Sequence, residues 1–265
     1  MVLALDFDGV IADSLNECLL NAYLTYRSFN PGTGIFSGKS MNAANFRQLI
    51  ESHSEHYLLF KKYRVYVRNS VDYYYAFYAI DKGIEIKSSK GLEAEEEKHK
   101  ELDRHAFREL FYSIRKEIVL KNFEEWAGLS PLYPGIRDIM KKLNPDKSYI
   151  STSNRAFAVE GVFRHNKIEF KKENILDNET HKDKNDQMKD IKKREKCKFS
   201  DIIFVDDILA NLEKVQPLGV KCVLAAWGYS NDSQKEEARA KGMEVVSLED
   251  FEGFLEKHNF FVDKR

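Results

Sequence analysis

The chain has 265 residues, 43% of them apolar, which is enough for one large domain or two modest ones with buried cores. Its 42 basic and 43 acidic side chains nearly cancel, so it lacks the overall positive charge typical of nucleic-acid-binding proteins. Three cysteines far apart along the chain indicate reduced thiols rather than a disulfide framework. Because no apolar stretch is long enough for a signal peptide or a membrane span, we expect a soluble, cytoplasmic protein without nucleic-acid or membrane partners.

The first predicted element is the apolar run VLAL, residues 2–5, a short strand of the kind found in parallel sheets covered on both faces. Asp6 and Asp8 follow it, and because side chains alternate along an extended chain, both carboxylates are expected on one face. Gly9 then permits a sharp turn. Two like charges at the end of a buried strand cost stability unless something positive lies between them, so the pair indicates a metal or phosphate site.

The middle of the chain, from about residue 16 to residue 126, is predicted to be all helical. Apolar residues at helical spacings favour helices at 14–29, 43–53, 56–67 and 71–80, and one long helix from Gly91 to Asn122. The segment 29–40 contains three glycines and a proline and is predicted to be a loop. A helical block therefore separates the first strand from the strands that follow.

From about Asp146 onward, short apolar runs alternate with helical patterns. The runs are SYIS (148–151), NIL (174–176), DIIFVDD (201–207), KCVLAAW (221–227) and MEVVSL (243–248). This alternation is typical of βαβ units in an open parallel sheet with helices on both faces. The predicted fold class is α/β, with a Rossmann-like core formed by residues 1–15 and 128–265 and an all-α domain inserted at 16–127.

Polar side chains recur where the predicted strands end, which is where open α/β sheets bind ligands. The second strand is followed by Ser151, Thr152, Ser153 and Asn154, the fourth ends in Asp206 and Asp207, and a basic stretch between them contains Lys182, Lys184 and Lys189. Asp6 and Asp206, with backbone and water oxygens, form an oxygen-only ligand set that suits Mg²⁺. The hydroxyl and ammonium groups can hold the oxygens of a phosphate.

The motifs DFDGV, YISTSN and VDDILAN, together with LYPGI and LGVKCVLAAWGY, resemble the haloacid dehalogenase-like superfamily in its phosphatase branch. The resemblance covers the α/β part, roughly residues 1–15 and 128–265. It implies that the helical block is a mobile cap. It also implies a Mg²⁺-dependent phosphatase that hydrolyses a small phosphorylated metabolite through an aspartyl-phosphate intermediate.

The resemblance also implies roles for individual residues. Asp6 is the expected nucleophile and Asp8 the expected general acid and base. The expected metal ligands are Asp6, Asp8, Asp206 and Asp207. The expected phosphate-binding residues are Thr152, Ser153, Asn154 and Lys184, of which Thr152 and Lys184 are also counted as catalytic.

Several alternatives stay open at the level of sequence. Ser151 and Ser153 compete with Thr152 for contact with the phosphate, and Lys182 competes with Lys184. Asn211 is expected either to orient Asp207 or only to begin a helix. A sugar phosphomutase of the same fold and a non-catalytic protein that binds Mg²⁺ or a phosphorylated ligand are the competing functions. The pattern predicts neither the oligomeric state nor the substrate.

Overall fold

The computed structural model describes residues 1–42 and 44–262. Ala43, in the second predicted helix, and residues 263–265, at the end of the predicted core, lie outside the described residues. The described chain forms two compact units, one made of Met1–Asp13 with the chain from Pro131 onward and the other of Ser14–Ser130. The observed junctions therefore lie after Asp13 and Ser130, where the sequence predicted them after residues 15 and 127.

The first unit is built around a sheet of six strands, and the described strand pairs are all parallel. The strands are β1 (Val2–Leu5), β2 (Ser148–Ser151), β3 (Ile175–Leu176), β4 (Ile202–Asp206), β5 (Lys221–Ala225) and β6 (Glu244–Val246). Their spatial order is β3-β2-β1-β4-β5-β6. Leu5 of β1 pairs with Ile150 of β2 and with Val205 of β4, so the residues that follow these three strands emerge at one edge of the sheet.

The second unit is helical. Its helices are α1 (Leu15–Phe29), α2 (Phe46–Ser52), α3 (Ser54–Arg64), α4 (Asp72–Lys82), α5 (Ser89–Lys98), α6 (Arg104–Lys121) and α7 (Phe123–Ala127). The prediction of one long helix from Gly91 to Asn122 is wrong, because the chain interrupts it at residues 99–103. Asp103 caps α6 by accepting a hydrogen bond from the Ala106 N–H at 2.9 Å. An aspartate cap, rather than apolar spacing, thus decides where α6 begins.

A buried ion pair fastens the beginning of the helical unit to its end. Glu17 of α1 and Arg115 of α6 are each 2% exposed, and Arg115 donates Nε and Nη2 to the two carboxylate oxygens of Glu17 at 2.7 Å each. Trp126 of α7 donates its ring N–H to the same carboxylate at 3.0 Å. Removing either charge would leave the other buried and uncompensated, which costs about 3–5 kcal/mol in comparable pairs.

Six further α-helices lie in the described residues of the first unit: α8 (Ile136–Lys142), α9 (Ala156–His165), α10 (Lys184–Glu195), α11 (Leu209–Val215), α12 (Asp232–Ala240) and α13 (Leu248–Lys257). Apolar side chains of α10, α11 and α12 pack on the sheet face that carries Ala4 and Phe204. On the opposite face, Phe7 contacts Phe163 of α9 and Trp227 contacts Phe251 of α13. The sheet is therefore covered on both faces, which confirms the predicted α/β class and explains its uninterrupted apolar strands.

Within the part of the chain that the structure describes, every helix is too short or too polar to span a membrane.

Candidate active site

Three carboxylates meet at the carboxyl ends of the central strands β1 and β4. Asp6 follows β1, Asp206 ends β4, and Asp207 comes directly after it. One oxygen from each lies within 4.8 Å of the others, and the three residues are at most 6% exposed. Carboxylates are almost never this deeply buried without a cation. The register of the two central strands is what brings together residues that are two hundred positions apart in sequence.

Lys184, the first residue of α10, points its ammonium group into this cluster. Its Nζ lies 2.8 Å from Asp6 Oδ1 and 3.5 Å from Asp206 Oδ2, and it also donates to the main-chain oxygen of Ser151. The residue is 3% exposed. Lys182 is exposed, and Lys189 is exposed and paired with Asp186. Of the lysines that the sequence left as alternatives, the structure therefore places Lys184 among the carboxylates.

Burial controls the ionisation of these groups. Burial raises the pKa of Asp6 from its ordinary 3.8 to about 7, although Lys184 acts to lower it. Burial raises the pKa of Asp206 as well, again against the effect of Lys184. Burial acts to lower the pKa of Lys184, but the two carboxylates outweigh it and raise that pKa, so the lysine is charged. Lys184 contacts two of the three clustered carboxylates, so its single positive charge cannot balance all three, and the site favours a further cation.

Asp8 lies outside this group of three carboxylates. Its Oδ2 accepts a hydrogen bond of 3.4 Å from the side-chain amide of Asn154. Its Oδ1 is buried and has no hydrogen-bond partner among the described residues. A buried oxygen without a protein partner is costly, so it is open to a ligand, a water molecule or a proton. The four acidic residues of the predicted metal site are thus divided into a cluster of three and a separate Asp8.

The three hydroxyl residues at the end of β2 and just after it, Ser151, Thr152 and Ser153, have different surroundings. Ser151 is buried and donates its hydroxyl to Gln187 Oε1 at 2.5 Å, so its side chain is used inside the fold. Thr152 is fully buried, and its Oγ1 accepts the main-chain N–H of Asn154 at 2.9 Å. Among the described residues, no hydrogen bond uses the Thr152 hydroxyl proton. Ser153 is half-buried, and its main-chain oxygen accepts from Asn178.

Gln187 is a site residue that sequence reasoning missed. Its Nε2 donates to the main-chain oxygens of Thr152 at 2.8 Å and Leu176 at 3.0 Å. These bonds tie α10 to the ends of β2 and β3 and so hold Lys184 one helical turn away. The available signal was the spacing, because residues three apart on a helix share a face.

Asn211 contacts a different aspartate from the one expected. Its side-chain amide lies 3.2 Å from Asp206 Oδ1 and 3.1 Å from Asp206 Oδ2, and the Ile208 N–H donates to Oδ1 at 2.8 Å. Of the two roles that the sequence left open for Asn211, orienting Asp207 is therefore not the one observed, because the side chain contacts Asp206 from the first turn of α11. The first turn of α11 lies over the end of β4, which brings Asn211 to the aspartate five positions earlier.

Gly9 is required both by its backbone conformation and by its packing. Its φ of +90° lies in the left-handed region that favours glycine. A Cβ at this position would lie 2.1 Å from Asp207 Oδ2, far inside any allowed contact. The turn after β1 therefore packs its backbone directly against the Asp207 carboxylate.

Comparisons with known proteins support this architecture. No protein-family model matches the sequence, and no curated protein matches it significantly. Solved structures do match. A protein described as a predicted phosphatase from Clostridium acetobutylicum aligns with a TM-score of 0.60 at 11% identity, covering 96% of this chain and 97% of that one.

Two further structures match over comparable lengths. A haloacid dehalogenase-family hydrolase from Deinococcus radiodurans, solved with bound phosphate and sodium, has a TM-score of 0.55 at 10% identity and covers 99% of this chain and 98% of its own. A protein described as a predicted phosphoglycolate phosphatase from Haemophilus somnus has a TM-score of 0.58 at 11% identity, with 96% of each chain covered. The chain therefore has the haloacid dehalogenase-like fold that its motifs predicted.

Proposed function

We propose that the protein is a Mg²⁺-dependent phosphatase that hydrolyses a small phosphorylated metabolite through an aspartyl-phosphate intermediate. The observation that carries this proposal is the buried group of Asp6, Asp206 and Asp207 with Lys184, at the carboxyl ends of the central strands. Asp8 lies on the loop after β1, and Thr152 lies on the loop after the neighbouring strand β2. The fold shared with proteins described as phosphatases supports the same assignment.

The donor set of the site fits Mg²⁺. It offers only carboxylate oxygens, which are hard ligands, and these oxygens already lie within 4.8 Å of one another. Asp6, Asp206 and Asp207 would hold the ion, and Asp8 is left to move protons. Bound Mg²⁺ would supply positive charge that offsets the negative charge of the carboxylates and of the phosphoryl oxygens.

In the first half-reaction, a carboxylate oxygen of Asp6 attacks phosphorus in line with the leaving oxygen. The bond from phosphorus to that oxygen breaks, and protonated Asp8 donates its proton to it. Lys184 holds Asp6 in place, and its charge favours the carboxylate form that the attack requires. We assign the Thr152 hydroxyl and the Lys184 ammonium group to stabilising charge on the transferring phosphoryl group.

In the second half-reaction, the Asp8 carboxylate takes a proton from a water molecule, whose oxygen attacks phosphorus. The bond between phosphorus and Asp6 breaks. Inorganic phosphate leaves, and both aspartates return to their starting forms. The hydrogen bond from Asn154 keeps Asp8 near the loop that carries Thr152, so proton transfer and phosphate binding share one local structure.

The helical unit, Ser14–Ser130, is proposed to act as a cap that selects the substrate and excludes water. Its place in the chain, inserted directly after the turn that carries Asp6 and Asp8, supports this role. Two structural neighbours are described as a predicted and a putative phosphoglycolate phosphatase, so a short phosphorylated organic acid belongs in any substrate panel. A cytoplasmic location follows as a proposal from the three cysteines, which form no disulfide within the described residues.

Phosphate release by the purified protein tests the proposed function. Wild type should hydrolyse an aryl phosphate with Mg²⁺, and hydrolysis should stop in excess EDTA. Asp6→Asn should abolish turnover and any acid-stable phosphoryl adduct, whereas Asp138→Asn, at an exposed position of α8, should leave the rate unchanged. Beryllium fluoride, which imitates a phosphoryl group on a carboxylate, should bind wild type and not Asp6→Asn.

Other outcomes would assign the competing functions. Isomerisation of a sugar phosphate without release of phosphate would identify a phosphomutase. Binding of Mg²⁺ and phosphate without turnover of any member of a metabolite panel would identify a non-catalytic binding protein. Full hydrolysis after removal of divalent cations would contradict the metal requirement.

A further inference from the structure

We propose that Trp227–Tyr229, the segment after β5, is a positioning element that fixes the Asp207 carboxylate and the turn after β1 for metal binding, with Gly228 as its essential residue. The identity of the bound metal rests on the proposed function. The aspartate, hydroxyl and lysine motifs assign this segment no role. The segment nevertheless contacts both Asp207 and the turn after β1, which follows Asp6.

Glycine is required at position 228 because a side chain there would not fit. A Cβ built on it would lie 2.3 Å from the Cβ of Asp207, 2.6 Å from Asp207 Oδ2 and 2.4 Å from the main-chain oxygen of Gly9. Its φ is not among the positive values of the described chain, so φ itself does not require glycine here. The glycine is therefore explained by close approach to Asp207 and the β1 turn.

Asp207 is held between two glycines. Gly9 approaches its carboxylate from the turn after β1, where a Cβ would lie 2.1 Å from Oδ2, and Gly228 approaches from the β5 side. The Tyr229 main-chain N–H donates to the same Oδ2 at 2.6 Å. With backbone on both sides and a short hydrogen bond at one oxygen, the carboxylate has little freedom to rotate.

Two side-chain hydrogen bonds attach the same segment to the β1 turn. The Trp227 ring N–H donates to the main-chain oxygen of Val10 at 3.0 Å, and the Tyr229 hydroxyl donates to Asp13 Oδ1 at 2.8 Å. The segment thus contacts the turn at its beginning, through Gly9, and at its end, through Asp13. The distance between Asp6 and Asp207, which a shared ion requires to be short, depends on this turn staying in place.

Gly228→Ala tests the inference, with Gly253→Ala as the matched control. Gly253 belongs to the same unit, has no positive φ, and has no atom from beyond the neighbouring backbone of its own helix within 4 Å of the point that a Cβ would occupy, so the control makes the same chemical change without crowding. The added methyl group at 228 must displace either the Asp207 carboxylate or the backbone of Gly9. Mg²⁺ affinity is measured by titration calorimetry, and independently as the Mg²⁺-induced rise in melting temperature.

We expect Gly228→Ala to weaken Mg²⁺ binding at least tenfold and to remove most of the Mg²⁺-induced stabilisation, while Gly253→Ala binds as wild type does. Trp227→Phe and Tyr229→Phe keep the backbone and remove one tether each, and each should weaken Mg²⁺ binding about threefold. If Gly228→Ala does not fold, the Mg²⁺ affinities of these two variants show whether the segment positions the metal site.

Two results would overturn the inference, and they differ in what they say about the function. If wild type binds Mg²⁺ and all three variants bind it within twofold of wild type, the segment does not position the site, and the proposed phosphatase stands. If wild type binds no Mg²⁺ by either measurement, the metal-dependent function and the positioning role fail together.

Discussion

Lys184 offers a test of the site that does not depend on any substrate. It is 3% exposed and lies 2.8 Å from Asp6 and 3.5 Å from Asp206, so Lys184→Met removes the charge that faces two buried carboxylates and keeps a side chain of similar length. Breaking a buried ion pair from one side costs about 3–5 kcal/mol. Lys182→Met is the matched control, because Lys182 is exposed and only two residues away.

The pKa of Asp6 determines how the loss of stability in Lys184→Met depends on pH. Its folded pKa is raised above 3.8 to about 7, so its neutral form favours folding, and that contribution is complete below pH 4 and lost as the pH rises through 7. Without Lys184 the folded pKa rises further, so Asp6 stays protonated above pH 7 in the variant while it ionises in wild type. For Asp6, the difference in the free energy of unfolding between wild type and Lys184→Met is therefore small at pH 5 and grows as the pH rises above 7.

Each pH unit above 7 adds about 1.4 kcal/mol for every carboxylate that is ionised in wild type and protonated in the variant. For Asp6 alone, an interval of roughly one and a half pH units gives about 2 kcal/mol at pH 8.5. Asp206, whose pKa burial also raises, adds to the loss in the same direction, toward the roughly 3–5 kcal/mol of a broken buried pair. For a chain of this size, such a loss corresponds to a fall in melting temperature of roughly 10 °C.

Urea unfolding of the metal-free proteins at pH 5 and pH 8.5 measures this difference. Lys184→Met should lose less stability at pH 5 than at pH 8.5, where the loss should reach about 3–5 kcal/mol, whereas Lys182→Met should stay within about 0.5 kcal/mol at both. A Lys184→Met loss that is equal at the two pH values, or a similar loss in Lys182→Met, would refute the idea that Lys184 compensates the two buried carboxylates.

Two further predictions concern Asp8 and the helical unit. Asp8→Asn removes the proton donor, so it should slow hydrolysis of an alkyl phosphate by about 10²- to 10⁴-fold and of an aryl phosphate, whose leaving group needs less protonation, by less. Equal losses for the two substrates in steady-state assays would contradict the role of Asp8. Replacing residues 14–130 with a short linker should leave a folded core that binds Mg²⁺, because the Asp13 N–H already donates to the Pro131 oxygen at 2.8 Å across the junction. That core should lose selectivity among phosphorylated metabolites, and an unchanged substrate ranking would show that selectivity lies elsewhere.

Local patterns in the sequence were sufficient for the α/β class and for the residues with the strongest chemical signal. The apolar strand before Asp6, and a second one ending at Asp206, predict a parallel sheet whose carboxylates meet at one edge, because such strands have the same direction. The helical character of the middle of the chain followed from apolar spacing in the same way. These features depend on period and residue type, which a sequence displays directly.

Tertiary structure alone decided which side chains meet. The resemblance favoured Lys184 and left Lys182 as its rival in a lysine-rich stretch. The docking of α10 on β2, held by Gln187, is what buries Lys184 against Asp6. Asn211 reaches Asp206 because of where α11 begins after β4. Gly228 resembles an ordinary loop glycine until the backbone of the β1 turn is seen beside it. Contacts of this kind join segments far apart in sequence, and their geometry is set by how whole elements pack rather than by any local pattern.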